Sequence, residues 1–326
     1  MPSASRWRAL IFWAIALETV GVVVFIAILL IGEQSRWTLI SLYLPRLPLL
    51  IATALGALFA PLTRRKVRIL LASQVALGLV VLFPVMGFSL ATAHASERAI
   101  HLASYNVFFG KAGRPALIEE IAAMPVDVVV MQAAFGSLGD KLRARLPERT
   151  VRQDGEFVIL SKYAVTSVEV PPPLPDGTPA MFVQYVLDTP SGALRITSVH
   201  AYSPRHALFG DRESGNDIAQ REGQIAAAVA AARSDVPPFL IAGDTNLPAL
   251  SAIARRHFAG LTDAFPDVGL GFGYTFPTKH PWMRIDRVLA SQGVRFDAIR
   301  VGAAGASDHR AVFVDLELDP SAGTDR

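Results

Sequence analysis

Polar side chains that could bind a hard cation and a phosphate ester recur at five places in the last two-thirds of the chain. They are carboxylates, carboxamides and two imidazoles, and each follows or interrupts an apolar run typical of a buried strand. The five segments are Ser104-Tyr105-Asn106, Val199-His200, Gly243-Asp244-Thr245-Asn246, Ile285-Asp286 and Ser307-Asp308-His309. Oxygen ligands of this kind suit Mg²⁺ or Ca²⁺. Together with the imidazoles they form a set that could support metal-assisted hydrolysis of a phosphate ester.

The segment Gly243-Asp244-Thr245-Asn246 carries the sharpest of these patterns. It follows an apolar strand and has a glycine for a tight turn. Asp244 and Asn246 lie on the same side of the chain because they are two residues apart. Asp244 could bind a metal or accept a proton, and Asn246 could hold a nucleophile or a phosphate oxygen. Asn106 ends another strand and could bind a cation, although taken alone it is better read as the cap of a turn.

Two histidines could act on a phosphate ester. His200 ends a strand, where an imidazole can donate a hydrogen bond to a phosphoryl oxygen as negative charge develops; taken alone, a histidine there is more often structural. His309 follows Asp308 and could take a proton from water if a carboxylate such as Asp286 held its other ring nitrogen. Judged alone, the Asp308-His309 pair fits a surface turn equally well.

Short apolar runs alternate with amphipathic segments from residue 99 onward. The predicted strands are Ile100–Tyr105, Asp127–Met131, Phe157–Ser161, Phe182–Leu187, Leu194–Val199, Phe239–Ala242, Arg284–Ala290 and Ala311–Leu318. The predicted helices are Arg114–Met124 and Asp217–Arg233. This alternation, with several hairpins, predicts α/β or α+β layers around central sheets, and about 220 residues fit one such domain.

The first ninety-odd residues hold most of the excess apolar composition, which reaches 52% of the chain. Three runs are almost wholly apolar: Ala9–Ile31, Leu39–Ala60 and Val67–Ala93. Each exceeds about 20 residues, the length needed to cross the hydrocarbon core of a bilayer. We therefore predict a membrane domain of three transmembrane helices in residues 1–95 and a catalytic domain in residues 96–326.

Basic residues in the short connections predict how these helices are oriented. They precede the first run and separate the second from the third: Arg6, Arg8, Arg64, Arg65, Lys66 and Arg68. Because such residues stay in the cytoplasm, the N-terminus is expected to be cytoplasmic and the domain after residue 96 extracytoplasmic. Part of the net charge of +3 lies in these connections, so it gives little support for nucleic-acid binding. The chain has no cysteine, which excludes disulfides and thiolate metal sites.

Taken in order, these segments resemble the endonuclease/exonuclease/phosphatase superfamily, which includes DNase I-like nucleases, inositol polyphosphate 5-phosphatases and neutral sphingomyelinases. The resemblance rests on Ser-x-Asn, a strand ending in Gln132, strand-His, Gly-Asp-x-Asn, Thr275-Phe276-Pro277 before Ile-Asp, and Ser-Asp-His. It extends from Ala99 to Leu318 and is greatest for the membrane-bound bacterial branch. It implies a four-layer α/β sandwich of two central mixed β-sheets flanked by helices, anchored in a bacterial inner membrane with the catalytic domain in the periplasm.

The resemblance also implies roles for the residues on the proton-transfer side of the site. His309 would be the general base that activates water, and Asp286 would orient it. Asp244 and Asn246 would position the nucleophile and the phosphoryl group. His200 would stabilise the pentacoordinate oxyanion.

On the cation side, the resemblance implies that Asn106, position 133 and Asp308 hold Mg²⁺, or Mn²⁺ or Ca²⁺. The family has a glutamate after Gln132 as the principal metal ligand, whereas this chain has Ala133, which offers no side-chain oxygen. Either the chain is a natural pseudoenzyme, or a glutamate in an active parent was replaced. Because every other motif residue is intact, we favour replacement, and we expect this chain to be inactive or impaired.

The membrane helices favour a phosphate-containing lipid at the outer face of the membrane as the substrate. Aromatic residues in the predicted loops could form an apolar wall or pack those loops: Phe108, Phe109, Phe135, Phe272, Tyr274, Phe276 and Trp282. The basic residues near the motifs are too scattered to track a nucleic acid backbone: Arg205, Arg212, Arg221, Lys279 and Arg287. An extracytoplasmic nuclease and an inactive binding protein remain the alternatives, and the sequence does not indicate an oligomeric state.

Overall fold

The computed structural model describes residues 4–64, 66–94, 96, 99–111, 113–205, 214–234 and 238–319. The chain divides into two compact units, which we call the helical unit and the sandwich unit. The helical unit consists of Met1–Phe88 with Ala249–Ala252, and the sandwich unit of Ser89–Pro248 with Ile253–Arg326. The predicted organisation into residues 1–95 and 96–326 stays a prediction.

The helical unit contains two helices that are long and apolar enough to cross a membrane, Ala4–Ile31 and Val67–Val85. Their outward faces carry large apolar side chains, including Trp13, Leu17 and Ile69, that are more than half exposed. An apolar surface of this kind suits lipid rather than water. The helical segments of this unit are α1 (Ala4–Ile31), α2 (Arg36–Tyr43), α3 (Leu47–Phe59), a 3-10 turn (Ala60–Thr63), α4 (Val67–Val80) and a π turn (Val81–Val85).

The second apolar run is not one straight span, which corrects the prediction of three clear transmembrane helices. It forms the pair Arg36–Tyr43 and Leu47–Thr63, bent by 73° at a short break. Leu44 is extended at the end of α2 because the following Pro45 disfavours helical backbone at the residue before it. The number of candidate spans is therefore two, or three if the bent pair crosses the membrane as one.

Polar side chains inside the helical unit bind one another and backbone carbonyls. Gln74 Nε2 donates to Glu18 Oε2 at 2.9 Å and to Thr19 Oγ1 at 2.7 Å. Arg46 donates to the backbone carbonyls of Val85 and Leu42. Buried Gln74 thus connects α4 to α1.

The sandwich unit contains fourteen strands and five of the helices among its described residues. The strands are β1 (Ser89–Leu90), β2 (Ile100–Asn106), β3 (Val128–Gln132), β4 (Thr150–Asp154), β5 (Phe157–Ser161), β6 (Ala164–Glu169), β7 (Phe182–Thr189), β8 (Gly192–His200), β9 (Phe239–Asp244), β10 (Thr262–Asp263), β11 (Leu270–Gly271), β12 (Asp286–Ala290), β13 (Val294–Val301) and β14 (Val312–Leu318). The helices are α5 (Arg114–Ala122), α6 (Leu138–Arg145), α7 (Ser214–Ser234), α8 (Ala252–His257) and α9 (Ala264–Val268), besides a 3-10 turn at Phe108–Gly110.

Two six-stranded sheets form the centre of the sandwich unit. Their strand orders are β13-β14-β2-β3-β5-β4 and β10-β12-β9-β8-β7-β6, while β1 and β11 form a separate two-stranded pair. Both sheets are mixed, because β2 pairs with β3 and β8 with β9 in parallel while the other pairs are antiparallel. The predicted α/β architecture with two mixed sheets is therefore confirmed.

Apolar side chains fill three layers around these sheets. Between the sheets, residues of β2 such as Leu102 share a core with residues of β8 such as Ile196. The outer face of the first sheet packs on α5 and α6 through residues such as Leu117. The outer face of the second packs on α7 and α8 through residues such as Ile225. The order is therefore helices, sheet, sheet, helices.

Candidate active site

The parallel strands of each sheet end at the side chains that the sequence analysis singled out. Asn106 and Gln132 are register partners at the ends of β2 and β3. His200 and Asp244 are register partners at the ends of β8 and β9, and Asp286 faces Asp244 across the β9–β12 pair. Because the carboxyl ends of parallel strands meet at one edge of a sheet, each sheet presents its polar residues together.

A glycine is required where β8 and β9 converge on the site. Gly243 has a φ of +148°, and a Cβ built there would lie 2.0 Å from the carbonyl oxygen of Val199. No other residue could occupy this position without separating the two strands. The tight turn expected from the sequence thus brings Asp244 beside His200.

His309 and Asp286 form a buried pair. The Nδ1 atom of His309 lies 2.9 Å from Asp286 Oδ2, and its Nε2 atom lies 3.6 Å from Asp244 Oδ2. The ring of Phe276 lies against the imidazole with 4.8 Å between centroids. Burial alone would lower the pKa of His309, but the carboxylates of Asp286 and Asp244 outweigh it and raise that pKa to about 9. An imidazole whose Nδ1 is held by a carboxylate has the orientation of a general base.

Asp244 and Asn246 lie together, as their spacing predicts. The backbone N–H of Asn246 donates to Asp244 Oδ1 at 2.8 Å, and its Nδ2 donates to the carbonyl of Ala201 at 2.8 Å. Asn246 has a φ of +49°, a left-handed conformation that asparagine tolerates better than most residues. Burial raises the pKa of Asp244, and nearby Asp286 adds to this while His309 offsets part of it.

Asn106 connects the two sheets at the site. Its Nδ2 donates to Asp244 Oδ2 at 2.9 Å, and its Oδ1 accepts the backbone N–H of Phe108 at 3.0 Å. Ser307 Oγ donates to the carbonyl of Asn106 at 2.7 Å and also accepts the N–H of His309. Asn106 therefore caps a turn and contacts the carboxylate of Asp244 at the same time.

One oxygen of Asp308 makes no hydrogen bond with the residues that the structure describes. This buried Oδ1 lies 3.9 Å from Nε2 of His309, an ion-pair distance. The Oδ2 atom of Asp308 lies 3.7 Å from a guanidinium nitrogen of Arg205. Burial raises the pKa of Asp308, and the charges of His309 and Arg205 offset part of the rise. An unsatisfied buried carboxylate oxygen is costly unless something else binds it.

Ala133 is buried beside these groups and contributes no side-chain oxygen. Its φ of +54° is left-handed, and its carbonyl accepts the N–H of Phe109 at 2.8 Å. The next residue, Ala134, donates its N–H to the carbonyl of Glu156 at 2.8 Å. The backbone of β3 thus continues past Gln132 against the hairpin formed by β4 and β5.

Glu156 is a site residue that the sequence analysis missed. Its Oε1 lies 3.1 Å from Nδ1 of His200, whose Nε2 lies 3.8 Å from Asp244 Oδ2. Burial lowers the pKa of His200, but the hydrogen bond with Glu156 and the charge of Asp244 outweigh it, so the pKa is raised. The sequence feature that could have identified Glu156 is a single acidic residue between Gly155 and the apolar run of β5.

The residues present fit a divalent cation, with one carboxylate fewer than the resemblance implied. Asp244, Asp286 and His309 offer ligand atoms that all lie within 4.8 Å of one another. Asp308 adds a buried oxygen that accepts no hydrogen bond from the described part of the chain. Carboxylate oxygens are the donors that hard cations prefer. The clusters formed by the described residues can therefore hold such an ion, although Ala133 weakens the set.

Comparisons with known proteins agree with this fold. The sequence profile described as the Endonuclease/Exonuclease/phosphatase family matches residues 103–309. No curated protein sequence matches the chain at a significant level.

Solved structures with the same fold come from several organisms. An endonuclease/exonuclease/phosphatase from Beutenbergia cavernae has 19% identity and a TM-score of 0.52, over 68% of this chain and 72% of that one. A humanised D. rerio TDP2 has 19% identity and a TM-score of 0.55, over 67% and 99%. A family protein from Bacteroides thetaiotaomicron has 14% identity and a TM-score of 0.53, over 69% and 100%. At these identities the likeness shows the fold alone.

Proposed function

The chain belongs to the endonuclease/exonuclease/phosphatase family, whose members are phosphoric ester hydrolases, and we propose that it hydrolyses a phosphodiester in the head group of a membrane lipid. The reaction takes place outside the cytoplasm, at the outer face of the bacterial inner membrane in which the apolar helices are anchored. The assisting cation is Mg²⁺, or Mn²⁺ or Ca²⁺. It is held weakly, because Ala133 replaces an oxygen ligand.

The observation that carries this proposal is the buried group formed by His309, Asp286 and Asp244. Asp286 holds Nδ1 of His309 at 2.9 Å, so the Nε2 nitrogen faces Asp244 and the site. The neutral fraction of His309, the minor form at neutral pH because the pKa is about 9, takes a proton from water at Nε2 as the oxygen of that water attacks phosphorus. The bond from phosphorus to the leaving alcohol oxygen breaks as the new bond forms, and that oxygen leaves as the alcohol after receiving a proton. His200 donates a hydrogen bond to a phosphoryl oxygen as negative charge develops there.

Asp308, Asn106 and Asp244 would hold the cation. The buried Oδ1 of Asp308 accepts no hydrogen bond from the described residues and lies 3.9 Å from His309 Nε2, so it is available as a cation ligand. When bound, the cation neutralises charge on the phosphoryl oxygens and polarises the ester. Since Mg²⁺ is usually bound through one or two carboxylates, the loss of one at position 133 weakens the site without removing it.

An apolar cavity beside His200 supports a lipid as the substrate. It has a volume of about 630 Å³, and its walls include Phe135, Val170, Met181 and Phe182 as well as the acid Glu156. Met181 accepts the backbone N–H of His200 at 3.0 Å, so the cavity adjoins the site. Pockets of this size with apolar walls and a few polar groups are typical of ligand sites.

The basic side chains give less support to a nucleic acid substrate. Arg221 and Arg287 are buried, and Arg287 pairs with Asp263. Arg205 faces Asp308, while Arg212 lies outside the described residues. A backbone-tracking groove needs several exposed cations in a row, and the described part of the site does not offer one.

The test compares the full chain with its Ala133→Glu variant in proteoliposomes. Hydrolysis is measured on phospholipids, nucleotides and DNA, with Mg²⁺, Mn²⁺ and Ca²⁺ titrated separately. We expect Ala133→Glu to raise cation affinity by roughly tenfold to a hundredfold and to raise lipid hydrolysis accordingly. Ala133→Gln is the matched control, because it has the same shape without the charge; its amide oxygen is a weaker ligand, so the gain should be much smaller than with Ala133→Glu.

Three results would contradict the proposal. Hydrolysis of DNA in preference to lipids would show a nuclease. Binding of phospholipid without hydrolysis by either variant would show an inactive binding protein. Equal gains from Ala133→Glu and Ala133→Gln would show that position 133 does not act through a cation.

A further inference from the structure

The helical unit contains a second cavity that the proposed hydrolysis does not use. It has a volume of about 820 Å³ and lies between the first turns of α1 and the connection from α3 to α4. The residues that form it include Arg8, Phe12, Trp13, Thr63, Arg64 and Lys66. It therefore combines three cationic side chains with two aromatic rings.

The three cations lack acidic partners. None of Arg8, Arg64 and Lys66 forms an ion pair with the described residues of the chain. The acids of residues 1–88 are Glu18 and Glu33. Glu18 binds Gln74, and it is ten residues from Arg8, about 15 Å along the helix axis. The cavity therefore carries uncompensated positive charge.

The backbone adds to this charge. Arg64 and Lys66 both have left-handed conformations, with φ of +54° and +49°. Lys66 is the N-cap of the fourteen-residue helix α4, and no side chain caps that helix end. The N–H groups of a helix N-terminus favour an anion. The cations and the helix end thus favour the same kind of ligand.

The apolar wall of the cavity distinguishes a lipid from a soluble anion. Trp13 is 68% exposed, and its ring contacts that of Phe12 edge to face at 5.5 Å between centroids. Leu10 and Leu17 continue this exposed apolar face along α1. Aromatic and basic residues occur together where a membrane helix meets the head-group region. A phosphate at the cations would place attached acyl chains along this face.

We propose that this cavity binds the head group of one anionic phospholipid in the cytoplasmic leaflet. Basic pockets between membrane helices on that side bind such head groups in general. The proposal depends on the membrane orientation expected from the basic connections, and it does not depend on hydrolysis. It assigns Arg8, Arg64 and Lys66 to the lipid phosphate, and Phe12 and Trp13 to the chains next to it.

The same basic residues could orient the helices without binding a particular lipid, so the test must separate charge from shape. The full chain is purified in detergent, and its melting temperature is measured with phosphatidylglycerol, phosphatidylcholine or inorganic phosphate. A ligand that binds only the folded chain raises the melting temperature. We expect a rise with phosphatidylglycerol and none with the other two.

Two variants and a control complete the test. The triple change Arg8→Gln, Arg64→Gln and Lys66→Gln should weaken phosphatidylglycerol binding roughly a hundredfold, because each cation contributes to phosphate attraction. Ala9 also lines the cavity, and Ala9→Phe narrows it without changing charge, so the rise should be smaller than in the parent. Arg68→Gln removes a cation of the same connection that does not line the cavity, and it should behave like the parent.

Three outcomes would overturn the proposal. Equal stabilisation by phosphatidylcholine would show that the head-group charge is not recognised. An equal rise with inorganic phosphate would show a soluble anion site. An unchanged rise in the triple variant or in Ala9→Phe would show that phosphatidylglycerol binds elsewhere. Because each measurement is of lipid binding, failure of the proposed hydrolysis would leave these results unaffected.

Discussion

The proton-transfer side and the cation side of the active site differ in how completely their side chains are partnered. On the proton-transfer side, Asp286 and Asp244 lie 2.9 and 3.6 Å from His309. On the proposed cation side, Ala133 offers no side-chain oxygen, and one oxygen of Asp308 accepts no hydrogen bond from the described residues. The contacts among His309, Asp286 and Asp244 therefore do not require a carboxylate at position 133. Under the proposed function, this part of the site stays assembled when the cation ligand at position 133 is absent.

The largest effect should be the loss of lipid hydrolysis when the proposed base, His309, is replaced. In the Ala133→Glu background, we expect His309→Gln to lower lipid hydrolysis by about 10²- to 10⁴-fold. Cation affinity should change little, because the proposed ligands are Asn106, Asp244 and Asp308 and not His309. Hydrolysis rates and calorimetric cation titrations measure the two quantities separately. His257→Gln removes the histidine at the end of α8 that pairs with Glu222 of α7, and it is the control. Loss of cation binding along with activity would show that the two sides are not separable.

The second largest effect should be a loss of folding stability at the ion pairs next to Asp286 on the proton-transfer side. Asp263 accepts from Arg287 at 2.5 Å and Arg284 at 3.2 Å, the residues that flank Ile285-Asp286. Burial raises the pKa of Asp263, but the two arginines outweigh it and lower that pKa. We expect Asp263→Ala to lower the free energy of unfolding by about 3–5 kcal/mol, since two buried cations lose their partner.

Asp140→Ala is the matched control for this prediction. Asp140 pairs with Arg143 at the surface, where such a pair contributes about 0–1 kcal/mol. Denaturant unfolding of the full chain and of both variants measures the difference. Similar losses in the two variants would show that the Asp263 network does not support the site in particular.

A smaller effect is expected on the pKa of His200. The carboxylate of Glu156 forms a hydrogen bond with His200, and the Glu156 carbonyl accepts the backbone N–H of Ala134. Removing its charge with Glu156→Gln should lower the pKa of His200, because the hydrogen bond and the charge of Glu156 help to raise it. Titration of the histidine resonances by NMR measures the shift. Exposed Glu148→Gln should leave the pKa of His200 unchanged, and an equal shift there would contradict the assignment.

The smallest effect concerns a carboxylate remote from both sides. Burial raises the pKa of Asp127, but Lys162 and the backbone N–H of His101 outweigh it, so the pKa is lowered. The stabilisation is therefore present above the unfolded value, about 3.9. It is lost as the pH falls through the lower value of the folded chain.

Asp127→Asn measures this contribution. We expect the variant to be less stable by about 1 kcal/mol at neutral pH, with the difference shrinking in acid below about pH 4. Unfolding of both chains across the pH range gives the difference directly. Exposed Asp188→Asn is the control, and a difference that grows as the pH falls would contradict the assignment.

Much of the sandwich could be predicted because its central strands are uninterrupted apolar runs. Phe157–Ser161 was predicted with the bounds that the structure has. β6 was missed because Ala164–Glu169 is largely exposed and has few apolar residues. The polar helix α6 was missed for the same reason. Local patterns show strands that are buried on both faces, and they show little of edges and surface helices.

The site was predicted only as far as local order allows. Asn106, His200 and Asp244 follow apolar strands, and this position indicated them as candidates. Glu156 reaches His200 only through the pairing of β4 with β5. Arg287 was predicted as an available cation, and it is buried against Asp263. Contacts of this kind depend on which elements pack together, and residue order alone does not contain them.

The contact between Gln74 and Glu18 has a consequence for how the chain is made. In the proposed bilayer, α1 carries a carboxylate group whose insertion costs about 2.5–3.5 kcal/mol at the centre of a helix. Its partner lies 56 residues later on α4. During synthesis, the carboxylate of Glu18 on α1 therefore lacks its Gln74 partner until residue 74 emerges from the translocation machinery. The first helix is expected to wait beside the channel and to enter the lipid together with α4.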